Sequence, residues 1–350
     1  MKRLSILGAL VAWALSTMTV LATPGSGVTV NTILAQGIAD PIATAQAAGR
    51  ESVIQDLTIA PGGYTGWHSH PGGTVIIVES GVFSFYDSAC TRTDTAAGRT
   101  VVEPGGGVQL ARNNGAVDLV LTVIYLDITS PDGSLRTDAT APACAAGVPG
   151  LPTTGTGLST TPAIVDRATF ASAATITGGD ERAVVVQQVS FAPGGHTGWH
   201  SHPGATQIFV VSGTFSFYSA TCTRQDFTAG QGAIEPGGGV QLARNESTTE
   251  PLNLFVVYYD APPGVVGGFR VDSPEPATCQ GLIGNATPAP ATPTTAASAL
   301  PTTAASALPN TSAQVAVGGS GAPAPLVIAV LLALASIGGL VALRWSRVRG

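Results

Sequence analysis

The chain has 350 residues, only 10% of them charged, and a formal net charge of −6 at neutral pH. That length accommodates two ordinary domains, each able to bury its own core. Forty-four glycines and 25 prolines argue against a helix-rich cytosolic protein, and the lack of a basic stripe argues against nucleic acid as a partner.

At the N-terminus, Lys2 and Arg3 precede an apolar run from Leu4 to Leu21, and Val20-Leu21-Ala22 stands where a signal peptidase would cut. Residues 1–22 are therefore expected to be a signal peptide, with an uncleaved anchor helix as the other reading.

The next feature is a duplication. "YTGWHSHPGG" begins at Tyr64 and "HTGWHSHPGA" at His196, and these two stretches hold all 5 histidines of the chain. A shift of 132 positions superimposes Trp67 on Trp199, His68 on His200, His70 on His202, Cys90 on Cys222, Gln109 on Gln241 and Asn113 on Asn245 without a gap. Two homologous domains follow, at 28–146 and 161–280, joined by a Gly/Pro/Thr-rich linker at 147–160. Each reads as β. "TVIIVESGVFSFYD" and "TQIFVVSGTFSFYS" are β-branched and aromatic runs broken by one glycine, as in a hairpin or tight strand connection, and "LVLTVIYLDI" and "LNLFVVYYDA" add a strand near each repeat's end. Short strands punctuated by Gly and Pro favour a barrel or jelly roll.

Two spaced clusters sit on these strands. The first runs Gly62, His68, His70, Thr74, Gly81; the second runs Gly98, Pro104, Gly106, Gln109, Asn113; both recur in step from Gly194 to Gly213 and from Gly230 to Asn245. In spacing they resemble the two sequence motifs of the cupin superfamily. The resemblance implies an all-β bicupin of two tandem jelly-roll barrels. It also implies a metal site of two His and a Glu from the first motif and a third His from the second. Here Thr74 and Thr206 occupy the Glu position, and Gln109 and Gln241 the position of the third His.

Residues two apart on a strand share a face, so His68 and His70, and likewise His200 and His202, can point into one barrel while Trp67 and Trp199 pack on the outer face. Neutral imidazoles suit Mn, Fe, Ni, Cu or Zn, with the carbonyl oxygens of Gln109 and Gln241 as further donors. His196 shares parity with His200 and His202 and offers the second barrel a third nitrogen; a rim histidine is the alternative. Thr74, Thr206, Arg112 and Arg244 are candidate ligand-binding residues, although a surface ion pair is the simpler reading of the arginines. The "EPGGG" stretches at Glu103 and Glu235 read as tight turns. A metal-free remnant, with the His pair hydrogen-bonded to Gln and Thr, is the alternative to a metal site.

Four cysteines lie one after each "FSFY" strand and one at each repeat's C-terminal end, in a chain expected to be exported. Pairing Cys90 with Cys144 and Cys222 with Cys279 is the connectivity that would let each repeat be complete by itself.

Beyond the repeats, residues 281–325 form an Ala/Pro/Thr-rich stalk in which "PTTAASAL" occurs twice. The apolar run at 326–343 is long enough for a transmembrane helix, and the basic tail at 344–350 gives the positive-inside orientation. "LPNTS" at Leu308 resembles a sortase signal with Ser312 in place of Gly, so sortase processing at Thr311 stands beside the preferred retained helix. Two functions are carried forward. One is a membrane-anchored extracytoplasmic module that binds a small ligand, a carboxylate or carbohydrate, with an optional weak divalent metal. The other is a metal-dependent cupin dioxygenase, decarboxylase or isomerase acting on a small organic acid.

Overall fold

The computed structural model describes residues 22–129, 133–153, 160–264 and 268–283. They fall in one compact unit. The signal-like run, the stalk, "LPNTS" and the apolar run at 326–343 lie outside them; among the described residues no helix is long and apolar enough to cross a membrane. The described residues are all-β apart from two short 3-10 turns, Ala143–Gly147 and Ala277–Cys279.

Side-chain alternation sorts each central strand between two cores. In Thr74–Ser80, Ile76 and Val78 face the interior of the first barrel, while Val75 and Ile77 join a core containing Ile54, Ile124, Phe170, Val184, Phe209, Val257 and Tyr259. That second core draws on both repeats. In Thr206–Ser212, Ile208 and Val210 turn into the second barrel and Phe209 into the shared core. A strand buried on both faces has no polar alternation, as the "TVIIV" run at Thr74 and the "IFV" run at Ile208 show. Each such Val, Ile or Phe contributes roughly 1.5–3 kcal/mol by burial.

Gly81 and Gly213 do not close hairpins. Val82–Tyr86 leaves its predecessor and pairs with Arg92–Ala96 and Leu110–Asn113. At Gly81 φ is +79°, and an added Cβ would stand 3.0 Å from the Asp118 carbonyl, so the turn between sheets requires glycine.

The repeats exchange their first strands. Ser26–Ala39, from the first repeat, runs antiparallel to Arg182–His196 of the second, from Ser26 opposite His196 to Ala39 opposite Arg182, with the register shifting along the way. In return Thr160–Phe170 pairs with Arg50–Ile59, from Thr160 opposite Ile59 to Phe170 opposite Arg50. Ile42–Gln46 pairs with Ala174–Gly178 beside them. Each barrel is therefore closed by the other repeat, which corrects the expectation that each repeat is complete by itself.

The disulfides are Cys90–Cys144 and Cys222–Cys279. Each pins a C-terminal cover over the fully buried tryptophan on the outer side of the His-x-His strand. Trp67 packs with Tyr86, Leu110, Ala145 and Leu151, and its Nε1 donates to the Pro152 carbonyl at 2.9 Å; Trp199 packs with Tyr218, Leu242 and Cys279.

Because Arg182–His196 is an unpaired edge without its donor strand, residues 160–283 expressed alone should give no stable monomer, whereas co-expression with residues 22–153 should give a one-to-one complex. Size-exclusion chromatography with light scattering decides this, and a folded monomer of either piece would refute the exchange. Replacing Cys222 and Cys279 together by Ser should lower stability by about 2–4 kcal/mol in urea titrations. It should also red-shift tryptophan emission, because the cover over Trp199 is no longer tethered.

Candidate metal centre

The His-x-His segments are strands of two residues, His68–Ser69 and His200–Ser201, too short to persist unaided. Their neighbours hold them. On one side His68 and Gln109 exchange backbone hydrogen bonds at 2.9 and 2.8 Å, and on the other Asp138 pairs with His68 and Thr137 with Ser69. In the second barrel His200 lies between Gln241 and Asp272 in the same way.

The rings are oriented by backbone carbonyls. His68 Nδ1 is 2.9 Å from Gly66 O and His70 Nδ1 is 2.7 Å from Leu135 O; His200 Nδ1 is 2.9 Å from Gly198 O and His202 Nδ1 is 2.6 Å from Phe269 O. A carbonyl oxygen can only accept, so each Nδ1 carries the proton and each Nε2 presents a lone pair. Those lone pairs meet: Nε2 to Nε2 is 3.1 Å in the first pair and 3.2 Å in the second.

A carboxylate completes each cluster. Glu235 Oε2 lies 3.1 Å from His202 Nε2, and Glu103 Oε2 lies 3.5 Å from His70 Nε2. Thr74 is the cross-strand partner of Glu103, and Thr206 of Glu235. The acid expected at the Thr position is thus supplied one strand over. Both threonines are fully buried, with hydroxyl oxygens that have no hydrogen-bond partner.

Two bare imidazole nitrogens and a carboxylate oxygen fit a divalent ion. Neighbouring ligands at about 2.1 Å stand roughly 3.0–3.4 Å apart, which spans the His200–His202 and His202–Glu235 separations. There, ligand atoms of His200, His202 and Glu235 all lie within 4.8 Å of one another; among the described residues the first barrel forms no such group.

Burial dominates the electrostatics. It holds His68 and His200 down to about 3, with the neighbouring imidazole as the next cause, and it also lowers His70. Burial raises Glu103 to about 8, opposed by the hydrogen bond from Gln109. A carboxyl and two uncharged imidazoles kept from water are stabilised as ligands by a cation between them.

Gln109 and Gln241 reach the clusters through the acid. Gln109 Nε2 donates to Glu103 Oε2 at 2.5 Å, and Gln241 makes the same bond to Glu235. They orient the carboxylate. His196 ends its strand, and Gly198, with φ +74°, breaks the chain before His200. Its Nδ1 accepts the Gly198 N–H at 3.1 Å, and it joins neither the ligand cluster nor the cavity lining. Arg244 Nη1 donates to Leu282 O at 2.7 Å, and Arg112 lies against Gly150. These arginines secure the C-terminal covers.

The second cluster opens on a cavity of about 110 Å³, walled by Val189, Phe191, Phe215, Leu254 and Val256. Its polar lining includes Gln187, Tyr258 and Arg270, and Val28 and Asn31 reach it from the exchanged strand. Tyr258 lies against the His202 ring, centroids 5.2 Å apart, as Tyr125 lies against His70. Arg270 donates to the Thr197 carbonyl at 2.6 Å and pairs with Asp272; Arg136 does likewise with Thr65 and Asp138.

Sequence reasoning missed Glu103, Glu235, the tyrosines and this arginine pair. Glu103 and Glu235 were hidden in a stretch that reads as a turn. Arg136-x-Asp138 and Arg270-x-Asp272 are offset by 134 rather than 132, so an ungapped shift does not align them.

Residues 187–258 match the family model described as a cupin domain. No curated protein matches the sequence. Among solved structures, oxalate decarboxylase from Bacillus subtilis is 12% identical over 68% of this chain and 78% of its own, with a TM-score of 0.33. A cupin 2 conserved barrel domain protein from Leptotrichia buccalis is 12% identical over 62% of this chain and 88% of its own, with a TM-score of 0.24. A cupin-like protein from Thermotoga maritima is 26% identical over 21% of this chain and 55% of its own, with a TM-score of 0.20. The second repeat therefore carries a cupin domain, and the first repeats its motif spacings without a gap.

Proposed function

We propose that this bicupin binds a divalent transition metal in its second barrel and holds a small organic acid against it, on the extracytoplasmic face of a membrane to which the C-terminal apolar run anchors it. The observation that carries the reading is the convergence of His200 Nε2, His202 Nε2 and Glu235 Oε2 within 4.8 Å at the base of a cavity. The anchoring rests on the sequence alone.

Charge favours an acid. Two neutral imidazoles and one carboxylate leave a divalent ion with one net positive charge, which a monocarboxylate neutralises in a low-dielectric site. A carbohydrate suits the cavity less well. Its hydroxyls would face Phe191, Phe215, Leu254 and Val256 without partners. A bound ion would supply a Lewis-acid centre for the carboxylate. Gln241 orients Glu235, the Gly198 and Phe269 carbonyls fix both imidazoles, and the apolar wall keeps water from the ion.

Catalysis is the second reading. Three protein donors would not fill the coordination shell of a divalent ion, which is the donor count of catalytic metal sites. A chemical change in a supplied acid, followed by NMR with the metal-loaded protein, would move the assignment from binding to turnover.

Titration of metal-free protein spanning residues 22–283 with Mn, Fe, Ni, Cu and Zn should show one tighter site. Replacing His202 by Ala should abolish it, and Gln241→Ala should weaken it by roughly 10- to 100-fold, while His70→Ala leaves it in place. Uptake insensitive to His202→Ala, or no uptake at all, would reject the metal centre.

A further inference from the structure

Resting on the metal-and-acid reading, the structure assigns to Asn31, a residue of the first repeat, the role of setting the ligand selectivity of the second barrel: through Gln187 it fixes Tyr258 as a hydrogen-bond acceptor, so that the site prefers acids bearing a hydroxyl donor.

The geometry is a polar line crossing three strands of an otherwise apolar wall. Tyr258 Oη donates to Gln187 Oε1 at 2.9 Å, and Gln187 Nε2 donates to Asn31 Oδ1. Tyr258 and Gln187 are buried, Asn31 is at the exposed mouth, and all three line the cavity. An amide side chain can turn either its oxygen or its nitrogen towards a neighbour. Asn31, with its oxygen turned to Gln187, settles that choice. By accepting from the Gln187 nitrogen, it leaves the Gln187 oxygen for the tyrosine, and the phenol proton is committed to that oxygen. What Tyr258 then offers the cavity, beside His202 and the metal ligands, is a lone pair. A ligand group next to it must donate, and an ether or second carboxylate oxygen there meets repulsion instead.

The two barrels differ at this point. Tyr125 Oη donates to Gln55 Oε1 at 3.0 Å, so the first barrel has the same Tyr–Gln bond. The matching stretch of the other exchanged strand, Pro162-Ala163-Ile164, has no side-chain hydrogen-bonding group. Gln55 is therefore not locked from outside. Strand exchange makes this a cross-repeat effect, because Asn31 belongs by sequence to one repeat and by position to the pocket of the other.

The test compares two acids of equal charge, glycolate and methoxyacetate, of which only the first can donate through its α-oxygen. Calorimetry on Mn-loaded protein spanning residues 22–283 should favour glycolate by about 10-fold, the worth of one buried hydrogen bond. Tyr258→Phe should bring the two acids to within about twofold, Asn31→Ala should lower the preference to about threefold, and Asn31→Asp, which keeps the acceptor, should retain it. Metal uptake should be unchanged in all three variants, which separates positioning from a general structural role. Equal affinity for the two acids in the parent protein, or a preference that Asn31→Ala leaves intact, overturns the inference while the metal centre stands. Failure of the parent protein to take up Mn removes the metal centre and this inference together.

Discussion

The structure depends on the reciprocal exchange of Ser26–Ala39 and Thr160–Phe170. Each strand supplies backbone partners to an edge that would otherwise be open, and an open edge is a site of aberrant pairing. The exchange also creates the shared core, in which Ile54 and Val75 of one repeat meet Phe170 and Phe209 of the other. A second consequence reaches the pocket, where Val28 and Asn31 are placed by pairing with a foreign strand.

The candidate site was legible in part. The His-x-His parity put both imidazoles of each pair on one face, and the outward tryptophans followed from the same alternation. The spacing of Gln109 and Gln241 placed them beside the clusters as well. The amide nitrogens are what reach the cluster, by way of Glu103 and Glu235. Those acids escaped notice because "EPGGG" reads as a turn: Gly106 and Gly238 do adopt positive φ, and the glutamates are the last strand residues before it. Periodicity within one strand cannot reveal that a missing donor has moved to the next strand, since the Thr74–Glu103 and Thr206–Glu235 pairings are tertiary facts.

The fold was legible to a similar depth. Strand-rich composition and Gly/Pro punctuation led to an all-β barrel fold, and the ungapped shift to a duplicated unit. Strand exchange left no mark, because Ser26–Ala39 has the same sequence character whichever Arg-to-apolar strand it pairs with. The parity of His196 with His200 and His202 misled for a local reason: Gly198 interrupts the extended chain between them, and parity holds only along a continuous strand.

The exchange also bears on how the two copies can diverge. In a protein made of separate single barrels, such strand pairing would be a bimolecular event, and partners would be lost on dilution. Joined by the short stretch of chain between Pro152 and Thr160, the partners are held at an effective concentration on the order of millimolar whatever the abundance of the protein. Assembly then becomes first order in protein, and the two pockets need no longer be identical. A change at Asn31 reshapes one pocket alone, whereas in a symmetric pair of identical chains it would alter both at once.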